Sequence, residues 1–273
     1  MKVQIITMVK DEDDIIENFI NYYGKLFGYN NLFIIDNISN DNTYNICLKY
    51  KQSHNINLYQ KNDYKKKGIY MKQIILENLN NNYDFFLPLD IDEFLVLYKD
   101  NKIHYGNKII DYLNEVENKD NKIIGINYIY PLIEKDDYKD AVKEVKYTGK
   151  PTEPKNIKGL LFNNNLINEN LTIDHGNHLW HYSKLETNLC FIHYHTRFLE
   201  QYKTKIINNY VGLGYDCSSI EKIKETINNK NLNSGNHHQL SMLKIIENNL
   251  NFPTHNVNNY DNFLYIGDIE KYI

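Results

Sequence analysis

Short apolar runs of strand length recur along the first hundred residues, each bounded by polar or turn-forming residues. A continuous apolar run of about four to eight residues is typical of a strand whose sheet is covered on both faces. The pattern therefore predicts strands at residues 3–8, 32–35, 57–60 and 83–89. A further apolar run, residues 94–97, follows the fourth strand almost at once.

Apolar positions between these runs recur at helical spacing. In the first stretch Ile16, Phe19, Ile20 and Tyr23 lie on one helical face and predict a helix that ends near Gly28. Similar stretches predict helices at residues 43–50 and 68–79. Because strands that alternate with helices are joined by right-handed crossovers, we expect an α/β fold with a mainly parallel central sheet flanked by helices.

The second part of the chain is less regular. Residues 108–116 are predicted as a helix, residues 122–130 as a strand, and the charged residues 135–154 as a surface excursion or lid. Strand character returns at residues 160–166, 171–173 and 188–195, whereas helices are predicted at residues 200–208, 219–227 and 239–249. We therefore divide the chain into a core domain, residues 1–210, and a helical C-terminal extension, residues 211–273, packed on that core.

The strand predicted at residues 83–89 leads directly into three carboxylates, Asp90, Asp92 and Glu93. In open α/β sheets ligands bind at the carboxyl ends of the strands, so these acids lie where a site is expected. Asp90 and Asp92 can converge on one cation, and their hard oxygens suit Mg²⁺ or Mn²⁺ holding a diphosphate. A solvated turn after a core strand is the alternative interpretation of the same residues.

Composition and motifs exclude several classes of protein. The 31 basic and 35 acidic residues are interspersed and give a net charge of −4, so no basic face indicates nucleic acid binding. The short cationic run at residues 65–67 is interpreted as a solvated loop. A Gly-x-Gly-x-x-Gly turn and a Walker lysine loop are both missing from the sequence, which argues against dinucleotide and P-loop sites.

Cysteine usage and hydropathy bear on the compartment. The three cysteines are widely spaced, which fits a reducing environment. The apolar residues 3–9 are too short for the core of a signal peptide, and no run approaches the roughly 20 apolar residues of a transmembrane helix. We therefore expect a soluble, cytoplasmic protein.

Three segments carry a resemblance to a known family. Residues 8–12 read MVKDE, residues 36–43 read DNISNDNT and residues 90–94 read DIDEF. In this order they resemble the motifs MVKNE, DNxSxDxT and DxDEF of the family 2-like glycosyltransferases, in the branch similar to family 92. The resemblance covers residues 1–100 well and continues more thinly to residue 210. It implies a GT-A fold, a UDP-sugar donor and an inverting reaction.

The resemblance also implies roles for individual residues. Met8, Val9 and Asp36 would hold the nucleoside, while Asp90 and Asp92 would hold the divalent metal and the diphosphate. The chemistry agrees, because a carboxylate accepts hydrogen bonds from a base or a ribose hydroxyl, and a metal stabilises the charge on a leaving diphosphate. For Asp36 a helix-capping role remains an open alternative.

A later segment resembles the family pattern HYxxKS…K. Residues 193–198 read HYHTRF, with arginine where the family has lysine and phenylalanine where it has serine. The resemblance makes His193 the candidate third metal ligand, and His195, on the same side of an extended strand, competes with it. Arg197 and Lys205 are candidates for phosphate binding, or alternatively belong to a helix surface.

Residues 174–178, DHGNH, form a second polar cluster in an apolar neighbourhood. An inverting sugar transfer needs a base that takes a proton from the acceptor hydroxyl. Asp174 fits that role, His175 or His178 could serve instead, and Glu93 could contact donor or acceptor. A β-turn around Gly176 is the alternative interpretation of the cluster.

Together these features predict a metal-dependent glycosyltransferase that moves a sugar from a nucleotide-diphospho-sugar to a hydroxyl of a glycan or glycoprotein. We expect Mn²⁺ or Mg²⁺ as cofactor and a possible homodimer through the C-terminal part. One rival is a non-catalytic nucleotide- or sugar-binding module with the same fold. The other is a phosphatase of the haloacid dehalogenase type, although its Asp-x-Asp pair normally follows the first strand.

Overall fold

The computed structural model describes residues 1–116, 122–151, 158–163, 167–179, 181–214 and 259–273, with a few isolated positions between 216 and 255. Within these residues the strands are β1 (Val3–Val9), β2 (Leu32–Asp36), β3 (Asn57–Gln60), β4 (Phe85–Pro88), β5 (Glu93–Lys99), β6 (Lys102–His104), β7 (Ile123–Ile129), β8 (Tyr147–Thr148), β9 (Lys158–Phe162), β10 (Lys184–Leu185), β11 (Leu189–His193) and β12 (Leu264–Tyr265). The α-helices are α1 (Ile16–Phe27), α2 (Thr43–His54), α3 (Lys67–Glu77), α4 (Asn107–Glu115), α5 (Ala141–Glu144) and α6 (Leu199–Leu213).

Ten of these strands form one sheet in the order β3-β2-β1-β4-β9-β7-β11-β5-β6, with β10 paired to β7. Strands β1 to β4 pair in parallel, and β7 pairs in parallel with β10 and β11. Antiparallel pairing joins β9 to β4 and β7, and β5 to β11 and β6. The predicted α/β class with a mainly parallel central sheet flanked by helices is therefore confirmed.

The N-terminal strands are apolar at consecutive positions because both faces of the sheet are covered. Successive residues of β1 point to opposite faces, and Ile5 and Ile6 accordingly belong to two different core clusters. The first cluster takes the apolar side of α1, including Phe19, and the second takes Met71 and Ile75 of α3. This two-sided burial is what the continuous apolar runs predicted.

The element predictions hold for most of the chain, with two exceptions. Residues 171–173 were predicted as a strand, but they form no strand in the structure. Leu171 is buried in the second core cluster, so its apolar character reflects packing and not a β-ladder. The prediction of a surface excursion is wrong for residues 141–148, because α5 and β8 pack Ala141, Val142 and Val145 into the first cluster.

The last described segment, residues 259–273, returns to the core. Strand β12 pairs antiparallel with β8, and a 3₁₀ helix follows at Gly267–Lys271. Ile266 and Ile269 are buried in the first core cluster. The predicted helix at residues 239–249, and residues 220, 223, 226 and 227 of the one at 219–227, lie outside the described residues. None of the helices in the described ranges has the length and apolarity needed to cross a membrane.

The start of α3 lies against the backbone near residue 173 at a position that only glycine allows. A methyl group on Gly68 would overlap the carbonyl oxygen of Ile173. Residues 173–178 can therefore approach the helix closely. Backbone atoms yield less readily than the end of a flexible side chain, so added volume here must displace the segment or the helix.

We expect Gly68→Ala to destabilise the protein by about 1–3 kcal/mol, the usual range for overpacking, although alanine normally favours a helix. Urea unfolding measures this change. Gly149→Ala is the matched control because a Cβ there meets nothing within 4 Å. A Gly68→Ala protein as stable as the wild type would contradict the close approach.

Candidate functional site

The carboxyl ends of β1, β2 and β4 meet at one edge of the sheet. Val9 at the end of β1 is paired with Asp36 at the end of β2, and the chain leaves β4 directly toward Asp90. On the other side of this edge β11 runs antiparallel to β5, which places His193 opposite Glu93. The N–H of Tyr194 donates to the carbonyl of Asp92 at 2.8 Å. The tertiary fold thus brings the acidic segment and the late histidine segment together.

Asp90 is surrounded by donors from three separate parts of the chain. Lys67 Nζ lies 2.6 Å from Oδ1, Lys158 Nζ lies 2.9 Å from Oδ2, and Asn177 Nδ2 donates to Oδ1 at 2.8 Å. Burial acts to raise the pKa of Asp90, but the charges of Lys158 and Lys67 outweigh it and hold that pKa below its ordinary value. Both oxygens of Asp90 therefore already accept hydrogen bonds from protein groups.

Asp92 has a different environment. Its side chain is completely buried, Oδ2 pairs with the Lys205 ammonium group, and His193 Nε2 lies 3.6 Å from the same oxygen. Burial would raise the pKa of Asp92, yet Lys205 and His193 lower it well below the usual range. The other oxygen, Oδ1, is buried without a hydrogen-bond partner. A buried carboxylate oxygen without a partner is costly and points to a missing donor or cation.

Glu93 is fully buried and acts as an acceptor within the fold. Its carboxylate accepts hydrogen bonds from the N–H of Asp90 at 2.8 Å and from the Tyr128 hydroxyl at 2.5 Å, and it pairs with Lys158 at 3.0 Å. Burial, and then the charge of Glu93, raise the pKa of the Tyr128 hydroxyl. This placement favours a supporting role for Glu93 over contact with an acceptor.

We call Asp90, Asp92, Glu93, Lys67, Lys158 and Lys205 the edge cluster. The sequence analysis missed two of its lysines. Lys67 was interpreted as part of a solvated loop, yet its side chain is only 3% exposed, and that of Lys158 only 1%. The apolar residues that follow Lys158 in β9 were the available signal, because a lysine that opens a buried strand must find a carboxylate.

The two predicted phosphate-binding residues, Arg197 and Lys205, both form ion pairs with buried carboxylates. Lys205, on α6, belongs to the edge cluster through Asp92. Arg197 is buried and its nitrogens donate to Glu12, to Asp14 and to the carbonyl of Tyr194. Burial also raises the pKa of Glu12, against the effect of Arg197. As placed, Arg197 ties the start of α6 to the loop after β1 and is not directed at a phosphate.

The predicted nucleoside residues line the end of β1 and β2. Met8, Val9 and Asp36 are all buried. The Asp36 carboxylate accepts hydrogen bonds from the N–H of Ser39 at 3.3 Å and from Gln60 Nε2 at 3.1 Å. Asp36 thus holds the turn that follows β2, and β1 lies between it and the end of β4, where the edge cluster begins.

The 174–178 segment lies against Asp90 through Asn177, as described above. Within it, the N–H of His178 donates to Asp174 Oδ1 at 2.7 Å, and His178 Nδ1 lies 3.1 Å from Asp174 Oδ2. The Asp174 and His178 side chains are 42% and 27% exposed. A carboxylate on Nδ1 fixes the orientation and tautomer of an imidazole, which is the arrangement of a histidine base.

Aromatic rings surround His193. The Tyr128 ring stacks on it at a centroid distance of 4.7 Å, and Tyr130 lies 5.8 Å away. The His195 ring lies 5.3 Å from His193 and at a steep angle to it. Tyr130 is half exposed, so the group of rings around His193 reaches the protein surface.

The residues present fit a divalent cation only in part. Two buried atoms have no hydrogen-bond partner: Oδ1 of Asp92 and Nδ1 of His193. Asp90 does not fit as a ligand in this arrangement, because ammonium groups and an amide occupy its oxygens. In the described residues, no three His, Cys, Asp or Glu side chains are grouped in a way that could hold a metal ion.

A cavity of about 350 Å³ lies elsewhere in the molecule. It is lined by parts of α1, by the start of α4 and by Tyr272, and none of its lining residues was predicted as a site residue. The edge cluster therefore remains the candidate site, on the chemistry of its residues.

Comparisons with known proteins give remote structural similarity. No family model matches the chain, and no curated protein matches it. The structure of S. aureus TarS 1–349 in complex with UDP-GlcNAc aligns with 91% of this chain and 72% of that chain, at 11% identity and a TM-score of 0.46. For S. aureus TarS in a longer form the alignment covers 91% of this chain but 43% of that chain, with a TM-score of 0.42.

A mannosyltransferase from Pyrobaculum calidifontis, in complex with GDP-Man and Mn²⁺, aligns with 50% of this chain and 36% of its own, at 13% identity and a TM-score of 0.32. With all three TM-scores below 0.5, the assignment of the chain rests on its own residues.

We expect Arg197→Met to cost about 3–5 kcal/mol of unfolding free energy, because it leaves Glu12 and Asp14 without their buried counter-charge. Urea unfolding at neutral pH measures the loss. Lys49→Met is the matched control, since Lys49 pairs with Glu17 at the exposed surface and should matter little. A small effect of Arg197→Met would show that the buried ion pairs do not hold α6 to the loop after β1.

Proposed function

We propose that the protein is a glycosyltransferase of the GT-A type that uses a nucleotide-diphospho-sugar, with UDP as the nucleotide, and transfers the sugar to a hydroxyl group. The observation that carries the proposal is the buried Asp92 carboxylate at the carboxyl edge of a mainly parallel sheet: its Oδ1 has no partner, and its Oδ2 lies 3.6 Å from His193 Nε2. Ligands bind at this edge in open α/β folds. The three ordered motifs of the sequence support the same conclusion.

In this proposal Asp92 and His193 hold a divalent cation, Mn²⁺ or Mg²⁺. When bound, such an ion stabilises the negative charge that develops on the leaving diphosphate. Lys205, which already pairs with Asp92, supplies a positive charge next to the same place. Asp36, with Met8 and Val9 beside it, contacts the nucleoside, because a carboxylate at the end of β2 can accept hydrogen bonds from ribose hydroxyls.

The transfer itself requires one proton to move. The acceptor oxygen forms a bond to the anomeric carbon while the bond from that carbon to the diphosphate breaks, and the diphosphate leaves with the electron pair. The proton of the acceptor hydroxyl passes to a base of the 174–178 segment, either Asp174 or His178. Attack opposite the leaving group inverts the anomeric centre. Glu93 maintains the geometry of the edge from within the core.

We expect Asp92→Asn to lower the affinity for UDP in the presence of Mn²⁺ by more than about tenfold, or about 1.4 kcal/mol, because it removes the charge that holds the cation. Calorimetry with UDP, with and without Mn²⁺, measures this. Asp111→Asn, at an exposed position of α4, is the control and should bind as the wild type does. Unchanged Mn²⁺-dependent affinity in Asp92→Asn would refute the cation site.

We also expect His193→Ala to weaken Mn²⁺ binding more than His195→Ala does. His193 Nε2 lies 3.6 Å from the Asp92 carboxylate, so His193 has the better position for a cation shared with Asp92. Titration of each variant with Mn²⁺ gives the order of the two effects. The reverse order would transfer the ligand role to His195.

A further inference from the structure

The segment 174–178 is fastened to the sheet edge through a single carboxylate. Lys67 Nζ bridges Asp90 and the carbonyl of His175, at 2.6 Å and 2.9 Å. Lys158 Nζ bridges Asp90 and the carbonyl of Gly176. Asn177 donates directly to Asp90 at 2.8 Å. Three consecutive residues of the segment are thus joined to Asp90, two through lysines and one by its own side chain.

These links depend on the charge of Asp90. A buried ammonium group is stable only when a carboxylate and further acceptors surround it. Lys158 has Glu93 as a second carboxylate at 3.0 Å, but the ion pair shown for Lys67 is with Asp90. Without the Asp90 charge the two lysines lose their shared counter-ion, and the carbonyls they bind lose the groups that fix them.

The conformation and burial of Asn177 show how the segment packs. Asn177 has a φ of 55°, in the left-handed region, and is fully buried. Asparagine adopts this conformation more readily than most residues, so the φ angle marks a tight turn, and the burial shows that this turn packs against its surroundings. Gly68 adds to this by allowing Ile173 to approach α3 closely. The segment is thus the expected β-turn around Gly176, closed by the N–H of Asn177 on the carbonyl of Asp174 at 3.0 Å, and its links to Asp90 hold that turn against the sheet edge.

This constrained segment carries the Asp174–His178 pair, whose side chains remain accessible to an incoming molecule. We propose that Asp90 is a positioning residue: it holds the 174–178 segment, and with it the Asp174–His178 pair that contains the base, and it is not a ligand of the cation. The inference rests on the proposed function for the role of this pair. It separates the two aspartates, with Asp92 binding the cation and Asp90 placing the base.

The test compares Asp90→Asn with Asp92→Asn in the free protein. Hydrogen exchange at the Asn177 and His178 amides reports on the segment, because these amides donate to Asp174. We expect Asp90→Asn to speed their exchange by about tenfold or more, and to leave Mn²⁺ affinity within about twofold of the wild type. Asp92→Asn should lower the Mn²⁺ affinity and leave the exchange of these amides unchanged. Loss of Mn²⁺ affinity in Asp90→Asn with unchanged amide exchange would overturn the proposal.

A nuclear magnetic resonance signal of His178 distinguishes a local displacement of the 174–178 segment from a general loss of stability. In protein with labelled histidine, the proton on His178 Nδ1 should show the downfield shift of a hydrogen bond to Asp174, with His178→Gln identifying the signal. We expect this signal to be lost in Asp90→Asn while the other histidine signals stay in place. A retained signal would contradict the positioning role.

Asp268→Asn is the matched control, because Asp268 pairs with Lys271, three residues further on, at the exposed surface. It should change neither readout. If Asp90→Asn does not fold, Lys67→Met and Asn177→Ala replace it in the test. Each of them removes one link between Asp90 and the segment and leaves Asp90 charged. Both should speed exchange at the same amides, and unchanged exchange in both would refute the inference.

The exchange and histidine measurements need neither nucleotide nor metal. A wild-type protein that binds neither UDP nor Mn²⁺ would therefore refute the proposed function, whereas unchanged exchange and an unchanged histidine signal in Asp90→Asn would refute the positioning role.

Discussion

The candidate site depends on one constraint: the buried carboxylates and ammonium groups at one edge of the sheet must neutralise each other. The edge cluster contains three carboxylates and three ammonium groups, brought together from α3, β9, α6 and the turn after β4. Removing such groups from water costs several kcal/mol each unless opposite charges and hydrogen bonds surround them. The cluster therefore forms only when all these elements are in place, and its geometry is tied to the complete fold.

One carboxylate oxygen of the edge cluster has no hydrogen-bond partner. Most of its oxygens accept hydrogen bonds or ion pairs, but Asp92 Oδ1 does not, while Oδ2 of the same carboxylate lies 3.6 Å from His193 Nε2. An unsatisfied oxygen in an otherwise compensated cluster is the place where a ligand gains most, because the desolvation of the carboxylate has already occurred on folding. Preorganisation of this kind suits a site that must stabilise charge on a leaving group.

Arg197 forms a second set of buried ion pairs, which joins two distant segments of the chain. They connect the start of α6 to Glu12 and Asp14, which follow β1, while Lys205 of α6 reaches Asp92. The antiparallel pairing of β11 with β5 adds His193 to the edge. The N-terminal half thus supplies the carboxylates at the edge of the sheet, and the later half supplies the basic residues and the histidine that pack against them.

The sequence alone determined the α/β class and the edge of the sheet that carries Asp90 and Asp92, whereas His193 was expected at this edge only through the family resemblance. These follow from local signals: apolar runs of strand length, helical periodicity and carboxylates placed directly after a strand. Such signals depend on residues close together in the chain, and burial on both faces imposes them on the sequence.

Only the tertiary structure decided how the two aspartates differ. The lysines of Asp90 lie 23 and 68 residues away along the chain, and Asn177 lies 87 residues away, so no local pattern relates them. A lysine in a polar run has the same sequence signature whether it is solvated or buried against a carboxylate. Long-range packing, including the close approach at Gly68, made Lys67 an interior cation and left Asp92 with the unpartnered oxygen.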